Sequence, residues 1–317
     1  MSSIRDEFKG GKGFWMQTRT RRLAWSEGIV AGTLFGTAAI FIRFLGDVDA
    51  FSIAFWRLVV AGVVLASILI VFRKSFSLNL VRKNLRDLVI LSFFLGLHFI
   101  FFVSAVKDTT ILNATVLVNT SPIFSVFVSS FLFKLKPSRI AILGLAISFI
   151  GVSIIAYAET ATANVSSNLE SFSPSLKGDL EAVVAALVES FYLNYGRKVR
   201  RQMDIIPTML PMYLLTASFV GILSIPTIRK PLALPTETAK LLPIIGLGIL
   251  PTATAHTLYF SSLSNLKSFE TATMALLEPI GATILGIAIF QEMPSPTFTL
   301  GAFLILFGIF FVIYHKK

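Results

Sequence analysis

The chain contains no cysteine, which excludes a disulfide framework and any thiolate-bound metal or iron–sulfur centre. Charge is scarce as well. Asp, Glu, Lys and Arg make up 14% of the 317 residues, against roughly 25% in soluble domains. Histidine occurs three times, and no third ligand stands at metal-binding spacing from His98 or His256. There is no G-x-S-x-G elbow, no H-E-x-x-H pair and no nucleotide-binding P-loop, so hydrolase chemistry and direct ATP drive lack their motifs. What fills the chain instead is apolar: 55% hydrophobic residues, 30 of them Phe, and a mean hydropathy of +0.79. That excess suits lipid rather than a water-covered core, and polar residues are confined to short, regularly spaced segments. The reading is all-α and polytopic.

A helix that crosses a bilayer needs about 20 mainly apolar residues, because hydrocarbon offers the backbone no hydrogen-bond partner. That ruler marks ten spans, at 28–44, 51–72, 85–106, 113–133, 140–157, 179–198, 207–225, 241–261, 271–290 and 298–314. Residues 1–22 form a polar, basic tail with no clear cleavage site, so it is expected to remain. Arg19, Arg21 and Arg22 abut the first span and hold that end in the cytoplasm by the positive-inside rule. Both termini are then cytoplasmic. Of 28 Lys and Arg, only Arg43, Lys107, Lys177, Arg229, Lys230 and Lys240 fall to the outer side, and Arg57 alone lies deep within a span, Arg43, Arg86, Arg197 and Lys198 standing at span ends. The net charge of +11 therefore lies where a membrane protein carries it, facing anionic lipid, and nucleic acid is not expected as a partner.

The chain also repeats. With Pro122 laid on Pro279, residues 105–157 cover 262–314 without a gap. Phe133 then matches Phe290, Pro137 matches Pro294, and Gly144, Gly151 and Tyr157 match Gly301, Gly308 and Tyr314. The loop after the first copy's fourth span carries Lys134, Lys136 and Arg139, whereas its counterpart carries Gln291, Met293 and Pro296 beside Glu292. Loss of the inward-retaining charge is what a second copy threaded in the opposite sense requires. The expected organisation is a cytoplasmic tail at 1–22, a five-helix repeat at 23–157, an external loop at 158–177 and an inverted five-helix repeat at 178–317. Inverted repeats of this kind mark secondary transporters, whose substrate sits near the midplane.

AFWRLVVAG around Arg57, AVKDTTILNATVLVNTSPIF leading to Pro122, LGLAISFIG, and LLEPIGATILGIAIFQE with Glu278, Pro279 and Glu292 together resemble EamA-type members of the drug/metabolite transporter superfamily. The resemblance covers nearly all of the chain after the tail, and implies ten spans in two repeats. It says little about substrate. One departure stands out: many relatives carry Glu after the fourth span, where this chain has Leu135, so that Glu is not essential here.

Ionisable groups at hydrocarbon depth cost at least about 2.5 kcal/mol each, and so are functional candidates. Arg57 either meets an anionic substrate group or braces a helix interface by bonding to carbonyls. Glu189, in the sixth span, would exchange protons or bind a substrate amine, unless a hydroxyl or Arg57 satisfies it. Glu278 precedes a mid-span proline that frees a carbonyl, so it serves either as a bridge or as a ligand contact. His98 and His256 are repeat mates to within one residue, and suit substrate binding or proton relay. Asn119, Tyr192 and Tyr259, with Asn113, Asn194 and Tyr195, would line a polar-aromatic cavity or simply join helices. Pro122 and Pro279 are the hinge candidates. Gly32 and Gly36 form a GxxxG packing face. The function expected is export of small organic metabolites, amino acids or amphipathic drug-like solutes, by alternating access in the plasma membrane, either coupled to protons or as downhill facilitation, with no cofactor or metal. A sugar-phosphate or nucleotide-sugar exchanger and an intramembrane enzyme are the alternatives.

Overall fold

The computed structural model describes residues 20–73, 76–132, 134, 137–163, 175–226, 232, 234–235, 237–290 and 296–314. The tail through Arg19, Lys136, Leu135, the Arg229–Lys230 pair and Glu292 lie outside the described residues. Among the described residues the secondary structure is helical throughout, with no strand. In chain order the helices are α1 (Arg21–Arg43), α2 (Ala50–Val71), α3 (Leu78–Lys83), α4 (Leu85–Asp108), α5 (Ile111–Val118), α6 (Ser121–Phe131), α7 (Arg139–Ala163), α8 (Leu176–Arg200), α9 (Ile205–Ser224), α10 (Thr238–Leu247), α11 (Thr257–Ser262), α12 (Ser268–Met274), α13 (Glu278–Phe290) and α14 (Pro296–Tyr314). A π-helical segment, Gly248–His256, joins α10 to α11, and a 3₁₀ turn, Ala275–Leu277, joins α12 to α13.

Hydroxyl and carboxylate caps start the helices where the sequence places them. The side chains of Thr20, Asp49, Thr110 and Ser175 accept from Leu23, Ser52, Asn113 and Gly178 backbone N–H groups, at the heads of α1, α2, α5 and α8. Each satisfies an amide that would otherwise be orphaned. Among the described residues seven helical stretches are long and apolar enough to cross a membrane, α1, α2, α4 and α14 among them, so the protein is a multi-pass membrane protein. Helix α8 falls short on composition, because it carries Asp179, Glu181, Glu189, Arg197 and Lys198. It is nevertheless packed against α4, α5 and α6, so its mid-helix polar groups face protein rather than lipid.

Three expected spans differ from continuous α-helix, and the prolines explain each. Span 113–133 is broken at Asn119–Thr120 into α5 and α6, and span 271–290 is broken by the 3₁₀ turn. Pro122 and Pro279 stand in the first turn of the second piece, where a missing N–H costs nothing, so neither kinks a helix from within. In span 241–261, Pro251 sits inside the π segment. The widened turn relieves its clash with the preceding turn, and Thr252 and Thr254 donate to the carbonyls of Leu247 and Ile249, five residues back, at 2.6 and 2.9 Å. At the other boundaries, α7 continues through Ala163 into the stretch read as loop, and α8 begins at Leu176.

The two halves of the chain interlock. Helix α1 packs on the π segment, α11 and α13, while α8 packs on α4, α5 and α6. The tightest pairing is α7 with α14. There Gly144 abuts the Gly308 backbone, Gly151 abuts that of Gly301, and Ser148 Oγ donates to the Ile305 carbonyl at 3.1 Å. As one helix ascends the other descends, so the two run antiparallel. Small residues at these points let the backbones meet, which is how helices associate when lipid removes the hydrophobic drive.

Candidate functional site

The central cavity draws on eight elements, Val118 of α5 and Ala275 of the 3₁₀ turn among its lining. Phe35 and Ala38 come from α1, Arg57 from α2, His98 and Phe102 from α4, Glu189 from α8, His256 from the π segment and Glu278 from α13, with Asn119 at the α5–α6 break. About 40 Å³ is open to the centres of water-sized spheres, room for roughly three waters. Arg57, at 1% exposure, is the largest fully buried side chain, and Glu189 and Glu278 are each 5% exposed.

Arg57 is held by a hydroxyl and an aromatic ring. Its Nε donates to Thr252 Oγ1 at 2.8 Å, and its guanidinium carbon lies 4.1 Å from the centre of the Phe99 ring. Thr252 in turn donates to Leu247, so the π turn aims the hydroxyl's lone pair at the guanidinium. Nη1 of Arg57 is buried and has no hydrogen-bond partner. Among the described residues neither Arg57, Glu189 nor Glu278 enters an ion pair.

The two histidines meet as the repeat suggests. Their ring centres are 6.0 Å apart, and His256 is boxed by Phe35 and Phe99, each at 4.8 Å. His98 Nδ1 lies 3.1 Å from the Ala185 carbonyl. A carbonyl only accepts, so Nδ1 carries the proton and Nε2 is the free acceptor. His256 Nδ1 is buried without a partner. The hydroxyls of Ser121 and Tyr259 are likewise buried without a hydrogen-bond partner. Asn119 Nδ2 donates to the Thr115 carbonyl at 2.7 Å and to Glu278 Oε2 at 3.2 Å, leaving Asn119 Oδ1 buried and unpartnered. Buried polar atoms without partners are rare in folded proteins. Three in one cavity, on Arg57, His256 and Asn119, mark a place built for water or a polar ligand.

The structure thus brings Arg57, His98, His256, Glu189, Glu278 and Asn119 together. Tyr259 stands behind His256, packed edge-on against Phe35 at 5.1 Å, and Tyr192 lies against Phe260 at 5.4 Å with its hydroxyl unpartnered. Other candidates are elsewhere. Asn113 donates to Asp179, Asn194 joins Ser125 and Ser268, and Tyr195 donates to Asp87 at 2.5 Å; all three fasten helix ends. Sequence reasoning missed Thr252, Phe35 and Phe99. Thr252 is signalled only by following Pro251, and the Phe residues only by proximity after folding.

The two ends of the bundle are tied. At the amino-terminal end of α1, Arg21 pairs with Glu270 at 2.5 Å, Tyr195 and Lys198 meet Asp87, and Ser268 donates to Asn194. At its carboxy-terminal end, Lys107 donates to the Gly46 and Val48 carbonyls at 2.6 Å, Lys177 pairs with Asp108 and Lys240 with Asp47.

Fold and cavity define a helical membrane protein with polar groups gathered inside the bundle. The EamA-like transporter family model matches the chain twice, at residues 26–157 and 176–314, and the protein belongs to that family. An uncharacterized transporter of Archaeoglobus fulgidus is 25% identical over 86% of this chain and 90% of its own length. An uncharacterized transporter of Bacillus subtilis is 22% identical over 91% and 89% respectively. A crystal structure, described only as that of a protein, superposes with a TM-score of 0.74 at 19% identity, covering 92% of this chain and 96% of its own. That likeness bears on the fold alone.

Proposed function

We propose that this protein is a secondary transporter of small organic metabolites, amino acids or amphipathic drug-like solutes, which exports them across the cell membrane by alternating access with coupled protons. Ten spans in two inverted five-helix repeats form the machine, with both termini in the cytoplasm. The observation that carries this reading is the central cavity, where Arg57, His98 and Asn119 of the first half face Glu189, His256 and Glu278 of the second and, among the described residues, none of the charges is in an ion pair. A zwitterion or an amphiphile with a polar head supplies the partners that these groups lack. Two carboxylates against one guanidinium disfavour a phosphate dianion, and so a sugar-phosphate exchanger.

The antiparallel α7–α14 crossing supports inversion. Gly144 meets Gly308 and Gly151 meets Gly301, so each glycine touches the repeat mate of the other, as a two-fold axis lying across the helices demands. Room for about three waters excludes a metabolite from the closed form, so loading requires release of the ties at one end. Release at one end while the other stays tied is alternating access. Exchange of protons through Glu189 or a histidine is the coupling step.

Uptake of a labelled panel of amino acids and amphipathic amines into proteoliposomes, with and without a pH gradient, tests the proposal. Saturable flux enhanced by the gradient is expected, and counterflow in oriented vesicles reads the direction. Absence of saturable flux for every solute refutes it. Glu189→Gln is expected to flatten the pH dependence; unchanged transport with an unchanged pH profile removes Glu189 from the site.

A further inference from the structure

Beside the central cavity, between α1, α5, α7 and α13, lies a second one with about 70 Å³ open to water-sized centres. Its wall is aliphatic, with Ile40, Ile111, Val116, Val152 and Ile155 among the lining side chains. Thr115 also lines it, but its hydroxyl is spent on the Ile111 carbonyl at 2.8 Å. Water needs two to four polar partners to occupy a cavity, and the polar side chains of this wall are confined to Glu278 at one edge and Thr115. At about half the ~150 Å³ of an engineered dry cavity that binds benzene, the chamber has room for roughly three or four carbons.

Glu278 lines both cavities. Its carboxylate, bridged by Asn119 at 3.2 Å, stands where the polar cavity ends and the apolar one begins. We infer that the second cavity is the side-chain pocket of the transport site. It takes the aliphatic tail of a substrate whose polar head lies among Arg57, Glu189 and the histidines, and the Glu278–Asn119 bridge is the threshold between head and tail. The inference rests on the transporter reading and narrows it, because it requires an amphiphile with a short aliphatic chain and assigns chain-length selection to Val116 and its neighbours rather than to the charged groups.

Isothermal titration of the purified full-length protein tests it, with two homologous series as probes: alanine, 2-aminobutyrate, norvaline and norleucine, and the n-alkylamines from methyl to hexyl. Affinity in at least one series is expected to tighten about fourfold per methylene, the equivalent of ~0.8 kcal/mol per buried CH₂, up to three or four side-chain carbons, and then to level off. Val116→Phe, which fills the chamber, is expected to abolish this dependence. Val116→Ala enlarges the chamber and is expected to carry the gain about one carbon further, which keeps the test open should the larger residue disturb folding. Binding of the short members with no chain-length dependence in the native protein overturns the side-chain pocket and leaves the transporter reading standing. A dependence that Val116→Phe and Val116→Ala both leave unmoved, as for tails lying elsewhere or a pocket filled by lipid, also overturns it. No binding of any probe overturns both.

Discussion

Replacing Gly151 by alanine places a methyl group in the crossing of α7 and α14. A Cβ built there stands 2.6 Å from the Gly301 carbonyl oxygen and 2.9 Å from the Ile305 nitrogen. Both are backbone atoms, which no rotamer change moves aside. Ordinary contact begins at 3.4 Å, so from 3.4 less 2.6 the helices must part locally by about 0.8 Å, and a gap of that size forfeits a quarter to a half of the attraction at each contact along the seam. In lipid that attraction is the main force between helices. Overpacking of this kind costs about 1–3 kcal/mol, and a rigid backbone on the far side points to the upper half, about 2–3 kcal/mol. The assay is unfolding of the purified protein in mixed micelles, with Gly46→Ala as control. The nearest atom to a Cβ on Gly46 is 3.7 Å away, so that variant is expected within about 0.5 kcal/mol of the native protein. Ile305→Ala added to Gly151→Ala is not expected to rescue, because it leaves the backbone obstacles in place. Gly151→Ala unfolding together with the Gly46→Ala control would refute the close antiparallel crossing.

Other consequences follow from the same contacts. The chain lacks cysteine, so Ser148→Cys combined with Ile305→Cys is expected to form an intramolecular cross-link on oxidation, seen as a gel-mobility shift; a parallel or distant arrangement of α7 and α14 gives none. Thr252→Val removes the acceptor of the Arg57 Nε bond and is expected to lower stability by about 1.5–3 kcal/mol, the range for hydrogen bonds to charged groups; thermal unfolding within 0.5 kcal/mol of native would show that Arg57 is held otherwise. The Lys240 ammonium, donating to Asp47, holds that carboxyl below the ordinary carboxylate range. A depressed folded-state value means that the pairing supports the fold above the unfolded value, near pH 4, and that this support fades as pH falls through the lower folded value. Asp47→Asn is expected to flatten the acid limb of a Tm-against-pH profile by a small margin, as suits an exposed pair, and superposable profiles would dismiss the link.

The site was partly legible in the chain. Arg57, Glu189, Glu278, His98 and His256 stand out because a charge or imidazole within an apolar run has no solvent to meet, and such groups turn inward whatever the fold. Asn113, Asn194 and Tyr195, open in the sequence between cavity wall and helix fastening, join helices. Amides and phenols are tolerated at either depth, so composition does not tell a cavity wall from a helix-end fastening. Thr252 was invisible for the converse reason: a threonine in a span ordinarily bonds its own helix, and only the π turn around Pro251 swings its oxygen to Arg57.

The sequence by itself determined that the backbone must satisfy its own hydrogen bonds in hydrocarbon, hence the helices; that basic residues gather on alternate connections; and that Pro122 and Pro279, like the paired glycines, recur in step. These are local or periodic properties, readable one segment at a time. Tertiary structure alone decided that the prolines open second half-helices instead of bending continuous ones. It decided, too, that Arg57 rests on Phe99 and Thr252 with no carboxylate beside it, and that Glu278 lies between a polar chamber and an apolar one. Each depends on which faces of distant helices come within a few ångströms, and packing between segments far apart in the chain leaves no period in the sequence to read.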